Sequence, residues 1–283
     1  MPRLRPLVTK EWIEKRIKKG RGNGTGAEYQ PWLVIQDFSS LGRVHRIKGW
    51  KHGRVHHLFS DLERNVFLHY QWPLSIIDIR EQFPLLPVEE TVEIAREIGV
   101  KHPIDPRTKH PIVMTTDLLL TVQQGLTPTY HPRTIKYLKD LQNMRSLEKL
   151  EIERRYWAAL LRNLKLLIIT EQQIVHPFVK NMLWIHPYYW LVDLYPLSEQ
   201  ELRRIASVLT QLVLNEAVPL RTVAQRCDRL LKLKAGTSLI VVRHLLANRS
   251  WEVDMSVRIR TEQQLILLKS STTTMTNDRK LIA

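Results

Sequence analysis

Apolar and polar positions follow two periods along the chain, and the switches between them mark the elements. Thr9 to Lys19 keeps the helical period, with a Thr cap, Glu11 in the first turn and Lys/Arg at the end. Residues 41–58 (LGRVHRIKGWKHGRVHHL) read as two strands joined near Lys51-His52-Gly53. A helix follows over Ser60–Gln71, with Ser60 as N-cap and Glu63 at its third position, a capping box. Glu63, Phe67 and Tyr70 fall at i, i+4 and i+7, so a carboxylate shares a stripe with two aromatics. Ser75–Phe83 is a strand, and Val88–Ile98 a helix stopped by Gly99. Val113–Val122 is a strand with Thr115, Asp117 and Thr121 on one face and Met114, Leu118 and Leu120 on the other. Arg133–Leu138 is a short strand in which Thr134 and Lys136 share a face, with Ile135 opposite. Arg145–Asn163 is a long helix whose stripe of Leu150, Trp157 and Leu161 also contains Glu153, and Leu164–Thr170 is a buried strand. This order predicts an α/β domain over residues 1–172.

Residues 173–283 read differently. A Trp- and Tyr-rich helical stretch over 173–195 precedes helices at Leu197–Asn215, Leu220–Leu233 and Thr237–Ala247. The last two are separated by Lys234-Ala235-Gly236, with Thr237 as cap. Trp251–Leu268 then alternates like a β-ribbon, and Ser270–Ala283 is a polar tail. Three helices and a ribbon outline a winged-helix-like, mainly helical second domain.

Charge sharpens the picture. The chain has 283 residues, 43% hydrophobic and 25% charged, enough to bury a substantial core. Its formal charge is +15, from 43 Lys+Arg against 28 Asp+Glu. Residues 1–60 hold 13 of the basic and 4 of the acidic residues, whereas residues 171–283 hold 15 and 10. Such concentration beside glycines and aromatics suits an arm lying along phosphates. Arg43, Arg46, Lys48, Lys51, Arg54 and His56 in the hairpin, with Lys101 and His102 in a later proline-rich loop, are the expected nucleic-acid contacts. The glycines of Gly20-Arg21-Gly22-Asn23-Gly24-Thr25-Gly26 lack the strand, helix and Gly-Lys-Ser/Thr ending of a phosphate loop, so a flexible basic loop is expected. His45, His52, His56 and His57 lack a Cys or carboxylate to complete a zinc set at finger spacing. One cysteine, Cys227, excludes a disulfide framework. The N-terminus lacks a signal-peptide core, and the longest apolar run, Met182–Val192, is short and broken by His186 and Pro187. A cytoplasmic, nucleoid-associated protein is the expectation.

Three residues carry candidate chemistry. Glu63 on a helix, Asp117 inside an apolar strand and Lys136 on the next strand each need a partner for their charge. Two carboxylates can hold a hard divalent cation such as Mg²⁺, and a nearby lysine can orient water or stabilise developing charge, the kit for phosphodiester hydrolysis. Spacing alone leaves the plainer reading open: a helix cap, a core-edge Asp and a solvated Lys.

Particular stretches narrow the choice. GRGNGTGAEYQPWL (20–33), GRVHRI (42–47), GRVHHLFSDLE (53–63), DIREQFPLLP (78–87), KHP (101–103), MTTDLL (114–119) and SLEKLEIERRYW (146–157) resemble the TnsA family, the endonuclease subunits of heteromeric bacterial cut-and-paste transposases. The resemblance runs along most of residues 10–160. It implies a restriction-endonuclease-like N-terminal domain and a winged-helix-like C-terminal domain. It further implies nicking of double-stranded DNA at the 5′ ends of a transposon, while a partner transposase, TnsB, cuts and joins the 3′ ends under the AAA+ regulator TnsC. Carried over by position, Glu63 and Asp117 bind metal and Lys136 completes the catalytic set. The Ile135 carbonyl is a further ligand, and Glu153 an outer or second-metal residue. Mg²⁺ is the implied cofactor, with Mn²⁺ able to substitute. One departure stands out: Thr134 occupies the position of the family's glutamine, and its shorter reach loses a direct contact to water or metal. That departure supports a competing reading, a catalytically inactive DNA-binding adaptor that recruits the partners. A stand-alone nuclease would instead cleave without partners. The helices of the second domain carry little of the positive excess, and Ile240, Leu245 and Trp251 offer apolar contact, so protein docking is expected there.

Overall fold

The computed structural model describes residues 7–37, 43–159 and 162–270. The chain divides into two units that part between Ile174 and Val175.

The first unit is a mixed α/β body. It runs α1 (Lys10–Lys18), a hairpin of β1 (His45–Lys48) and β2 (Val55–Leu58), α2 (Asp61–Gln71), β3 (Ile76–Pro84), α3 (Val88–Glu97), β4 (Thr115–Gln124), β5 (Thr127–Ile135), α4 (Met144–Ala158) and β6 (Leu167–Ile169). The sheet order is β3-β4-β5-β6. The first three strands are antiparallel, and β6 pairs in parallel with β5 after the α4 crossover. Leu85, Leu119, Tyr156, Trp157 and Leu166 form a core cluster between α4 and the sheet. A second cluster of Val8, Ile13, Trp32, Val88 and Val113 fastens α1, and the Arg16 guanidinium lies over Trp12 and Trp32 while pairing with Asp37 at 2.8 Å.

Three expectations change here. The glycine segment is turned and packed, not flexible: Gly22 N–H donates to the Gln30 carbonyl at 2.6 Å and Gln30 N–H to Asn23 at 3.1 Å. A Cβ on Gly22 would stand 2.3 Å from the Pro84 ring at φ +83°, so only glycine fits. The last strand is a sheet edge, not buried: Leu167 is 39% and Ile168 42% exposed. The helix expected to reach Asn163 ends at Ala158, and Leu161 lies outside the described residues.

The second unit contains α5 (His176–Ile185), α6 (Glu199–Asn215), α7 (Leu220–Leu230), α8 (Thr237–Ala247) and the two-residue strands β7 (Trp251–Glu252) and β8 (Lys269–Ser270). The alternating segment after Trp251 forms little ribbon because a buried side chain takes its backbone groups. Asn181 donates to the Met255 and Val257 carbonyls at 3.2 and 2.7 Å and accepts from Ile259 N–H at 2.9 Å. Thr237 does not cap α8. Gly236 at φ +89° is the N-cap residue, Asp228 receives the N–H groups of Gly236 and Ser238 at 2.7 and 2.8 Å, and Thr237 is buried against Tyr195. Leu245 and Trp251 belong to the core, Trp251 donating to Thr210 at 3.1 Å, so they offer no contact surface. The exposed apolar residues of this unit include Val192, Leu194, Leu230, Ile266 and Leu268. Among the described residues no helix is long and apolar enough to cross a membrane. The polar tail from 271 onward lies outside the described residues.

Candidate active site

Four elements bring charged side chains to one place. Ser60 caps α2 by accepting from Glu63 N–H at 3.1 Å, and the Glu63 carboxylate returns to the cap, accepting from Phe59 N–H at 3.0 Å and Ser60 O–H at 3.1 Å. The Ser60 cap sets where α2 begins, although the Glu63 carboxylate reaches the N–H of Phe59 and not that of Ser60, so the expected capping box is only half formed; burial of Val66 and Phe67 seats the helix. Between β4 and β5 the ladder closes at Leu118–Arg133. Beyond it a side chain replaces the missing strand partner: Asp117 Oδ2 accepts from Ile135 N–H at 2.6 Å, Thr134 O–H at 3.2 Å and Lys136 Nζ at 3.0 Å. Lys136 Nζ also donates to the Ile135 carbonyl at 3.0 Å, and its own N–H donates to Ile169 of the edge strand at 3.0 Å. From α4, the buried Glu153 accepts from Thr116 O–H at 2.8 Å, and Trp157 Nε1 donates to the same hydroxyl at 2.7 Å.

The charges of Asp117 and Lys136 act on both Glu63 and Glu153. Burial, then the charge of Asp117, pushes the Glu63 carboxyl up to about 7 despite its capping donors and Lys136. The same two causes in the same order push Glu153 to about 7. For Lys136 burial works downward, but Asp117, Glu153 and Glu63 together outweigh it and the ammonium is held above the usual lysine range. Three carboxyl groups thus act on one ammonium, which sits on the Asp117 carboxylate and the Ile135 carbonyl. An all-oxygen, anionic set of this kind suits a hard divalent cation. Among the described residues no three such side chains already stand together at ligand geometry. Glu63 is engaged at the start of α2. Thr134, fully buried, puts its hydroxyl on Asp117. Thr134 therefore supports the Asp117 carboxylate.

The expected nucleic-acid contacts separate into two groups. Arg43, Arg46, Lys48 and Lys101 are exposed. Arg54 and His56 are not available: Arg54 donates to Glu81 at 2.8 and 2.6 Å and to the Ile79 carbonyl at 2.9 Å, and His56 Nδ1 lies 2.8 Å from the same carboxylate. A buried acid on β3 draws both inward, because a carboxylate there needs cationic and hydrogen-bonding partners. Lys51 donates to the Pro73 carbonyl at 2.8 Å, and both His102 nitrogens are engaged, by Thr91 and the Pro103 carbonyl, each at 2.9 Å. The hairpin histidines have separate partners, His45 on Asp61, His52 on the Ile77 carbonyl and His57 on Ile35 N–H. Sequence reasoning missed Glu81, Thr116 and Trp157. None of the three stood out locally: Glu81 lies in a strand that also carries Asp78, Arg80 and Gln82.

A sheet edged by helices, with an aspartate–lysine pair at the opened end of a strand pair, is compatible with a nuclease, and similarity to known proteins supports that class. Residues 74–171 match the family model described as TnsA-like endonuclease N terminal, and residues 173–255 match that described as TnsA endonuclease C terminal. The chain is 40% identical over 237 residues, 83% of each chain, to the transposon Tn7 transposition protein TnsA of Escherichia coli. It belongs to the TnsA family.

Proposed function

We propose that this protein is the Mg²⁺-dependent endonuclease subunit of a heteromeric transposase. It nicks double-stranded DNA at the 5′ ends of a transposon, while a TnsB-type partner cuts and joins the 3′ ends under a TnsC-type regulator, in the cytoplasm on the chromosome. One observation carries the reading: Asp117 holds Lys136 at 3.0 Å, and the charges of this pair act on Glu63 of α2 and Glu153 of α4. Glu63, Asp117 and the Ile135 carbonyl would hold Mg²⁺ or Mn²⁺, with Glu153 as an outer or second-metal residue. When bound, the ion neutralises phosphate charge and makes water a better nucleophile. Lys136, a donor fixed by Asp117 and Ile135, positions the water in line with phosphorus and balances charge growing on the phosphate oxygens. Thr134 and Ile135 N–H keep Asp117 aimed. The products carry a 5′-phosphate and a 3′-hydroxyl. Restriction-endonuclease-like catalysis is assigned to residues 1–172 and winged-helix-like partner binding to 173–283.

Lys136→Ala, assayed with partner proteins, Mg²⁺ and a transposon-end duplex, is expected to slow nicking by about 10²–10³-fold. Wild-type nicking would overturn the assignment and leave the inactive adaptor as the better reading. The exposed apolar residues of the second unit are assigned to protein docking. A chain ending at Ile174 is expected to keep most of its DNA affinity and lose stimulation by the regulator. Stimulation that survives in the shortened chain would reject the assignment.

A further inference from the structure

The α4 helix has an inward face whose burial is uneven. Leu150, Glu153, Tyr156 and Trp157 on that face are buried. Lys149 and Arg145 stand four and eight residues before Glu153, so they continue the same side of the helix, offset by about 40° per step and spaced by about 6 Å per step. Yet Lys149 is exposed and Arg145 half-exposed. The inward face is therefore uncovered one turn ahead of the buried carboxylate, and we call that uncovered stretch the mouth.

Cations crowd this mouth. Partial burial, then the charges of Arg145 and Lys136, holds the Lys149 ammonium below the usual lysine range, so Lys149 lies within electrostatic reach of both. Arg145 in turn acts on His102, beside the exposed Lys101. Lys136 is paired with Asp117 and Arg145 with Glu148 at 2.6 Å, while among the described residues Lys149 makes no ion pair. Placing like charges side by side is unfavourable in the free protein. A polyanion offsets the repulsion, and the spacing of the cations suits one that presents charges in series.

We infer that Arg145 and Lys149 hold successive phosphates of the DNA strand being cut and lead it from the mouth to Asp117 and Lys136. The inference rests on the endonuclease reading, and it makes these two residues positioning groups, not catalytic ones. A nucleic-acid backbone is favoured over an acidic protein segment because the cations run up to the phosphodiester-cleaving groups themselves.

The test is binding of a transposon-end duplex to the full chain in EDTA, followed across a series of KCl concentrations. Lys149→Gln and Arg145→Gln are each expected to weaken binding by about tenfold at low salt and to shallow the slope of log K against log salt by about 0.9. The melting temperature should hold, since neither side chain is buried. Lys149→Arg should restore the slope. In nicking assays with partners and Mg²⁺ the glutamine variants should raise KM for DNA and leave kcat near wild type. Arg154→Gln and Arg155→Gln serve as controls, because these arginines pair with Glu151 at 2.7 and 2.8 Å on another side of α4. Unchanged slopes in the Lys149 and Arg145 variants, or equal changes in the controls, would overturn the inference. Wild-type nicking by Lys136→Ala would instead strike the endonuclease reading, and the EDTA binding data would still stand on their own.

Discussion

Asp117→Asn is expected to reduce nicking by about 10³-fold, equivalent to about 4 kcal/mol of transition-state stabilisation, without unfolding the protein. Asparagine keeps an acceptor for Ile135 N–H and Thr134 O–H, the two bonds that close the end of the β4–β5 pairing. What it removes is charge. Lys136 loses the carboxylate that fixes its ammonium, and the proposed Mg²⁺ site loses the carboxylate whose charge acts on both Glu63 and Glu153. The cost to the metal-free fold is small. Lys136 keeps the Ile135 carbonyl and the favourable charges of Glu63 and Glu153, and losing the Asp117 charge relieves repulsion on those two buried carboxyls. Thermal melts should therefore place the metal-free variant within a few degrees of wild type. Mg²⁺ should raise the melting temperature of wild type, since a ligand that binds only the folded state stabilises it, and should leave the variant unmoved. A variant that nicks at the wild-type rate, or that responds to Mg²⁺ as wild type does, would remove Asp117 from the active site. Glu63→Gln gives an independent check, because glutamine can keep the cap while losing the charge.

The outcome of sequence reasoning depended on how far away the deciding partner lay. The start of α2 was legible because Ser60, Glu63 and Phe59 settle it among themselves. Asp117 was legible because a carboxylate inside an apolar strand signals a need that only a charged site meets. The hairpin itself was legible, but the direction of its side chains was not. Hydropathy turns Val55 inward and His56 outward, whereas Val55 is 46% and His56 5% exposed. The reversal follows from Glu81, whose position opposite β2 is fixed by tertiary packing and not by local pattern. The segment after Trp251 failed for the same reason. Its alternation is real, but Asn181, more than seventy residues earlier, claims the backbone groups that a ribbon would have paired. Lys149 was hidden differently. In SLEKLEIERRYW it reads as one more solvated helical charge, and only the uncovered inward face of α4 distinguishes it from Arg154 and Arg155.

Glu81→Gln should destabilise the first unit by about 3–5 kcal/mol, the usual cost of stripping one partner from a buried ion cluster, enough to lower its melting temperature by about 10 °C. Glu81 is completely buried. Its carboxylate collects both terminal nitrogens of Arg54, His56 Nδ1 and His57 N–H, the last at 3.2 Å. The Arg54 guanidinium lies over the Tyr29 ring, whose hydroxyl donates to the Glu81 carbonyl at 3.1 Å. One side chain thus ties the hairpin, β3 and the segment after the glycine turns together. Glutamine is nearly isosteric, so no cavity confuses the measurement, but it leaves the Arg54 charge buried without an anion. The pH dependence has a definite sign. Burial pushes the Glu81 carboxyl up, but His56 and Arg54 outweigh it and hold it far below the ordinary value of 4.5. Its stabilisation is therefore present above pH 4.5 and is lost as pH falls toward the folded-state value. Burial holds His56 below its ordinary 6.5 although Glu81 pulls the other way. The unfolded chain thus takes up that proton first, and stability declines as pH drops below 6.5. Melting curves from pH 8 down to pH 4 should show wild type losing stability toward acid. The gap to Glu81→Gln should be widest at neutral pH and narrow at the acid end. A variant that melts within about 2 °C of wild type at pH 7 would mean that Arg54 and His56 do not depend on Glu81, and both would return as candidates for the phosphate backbone.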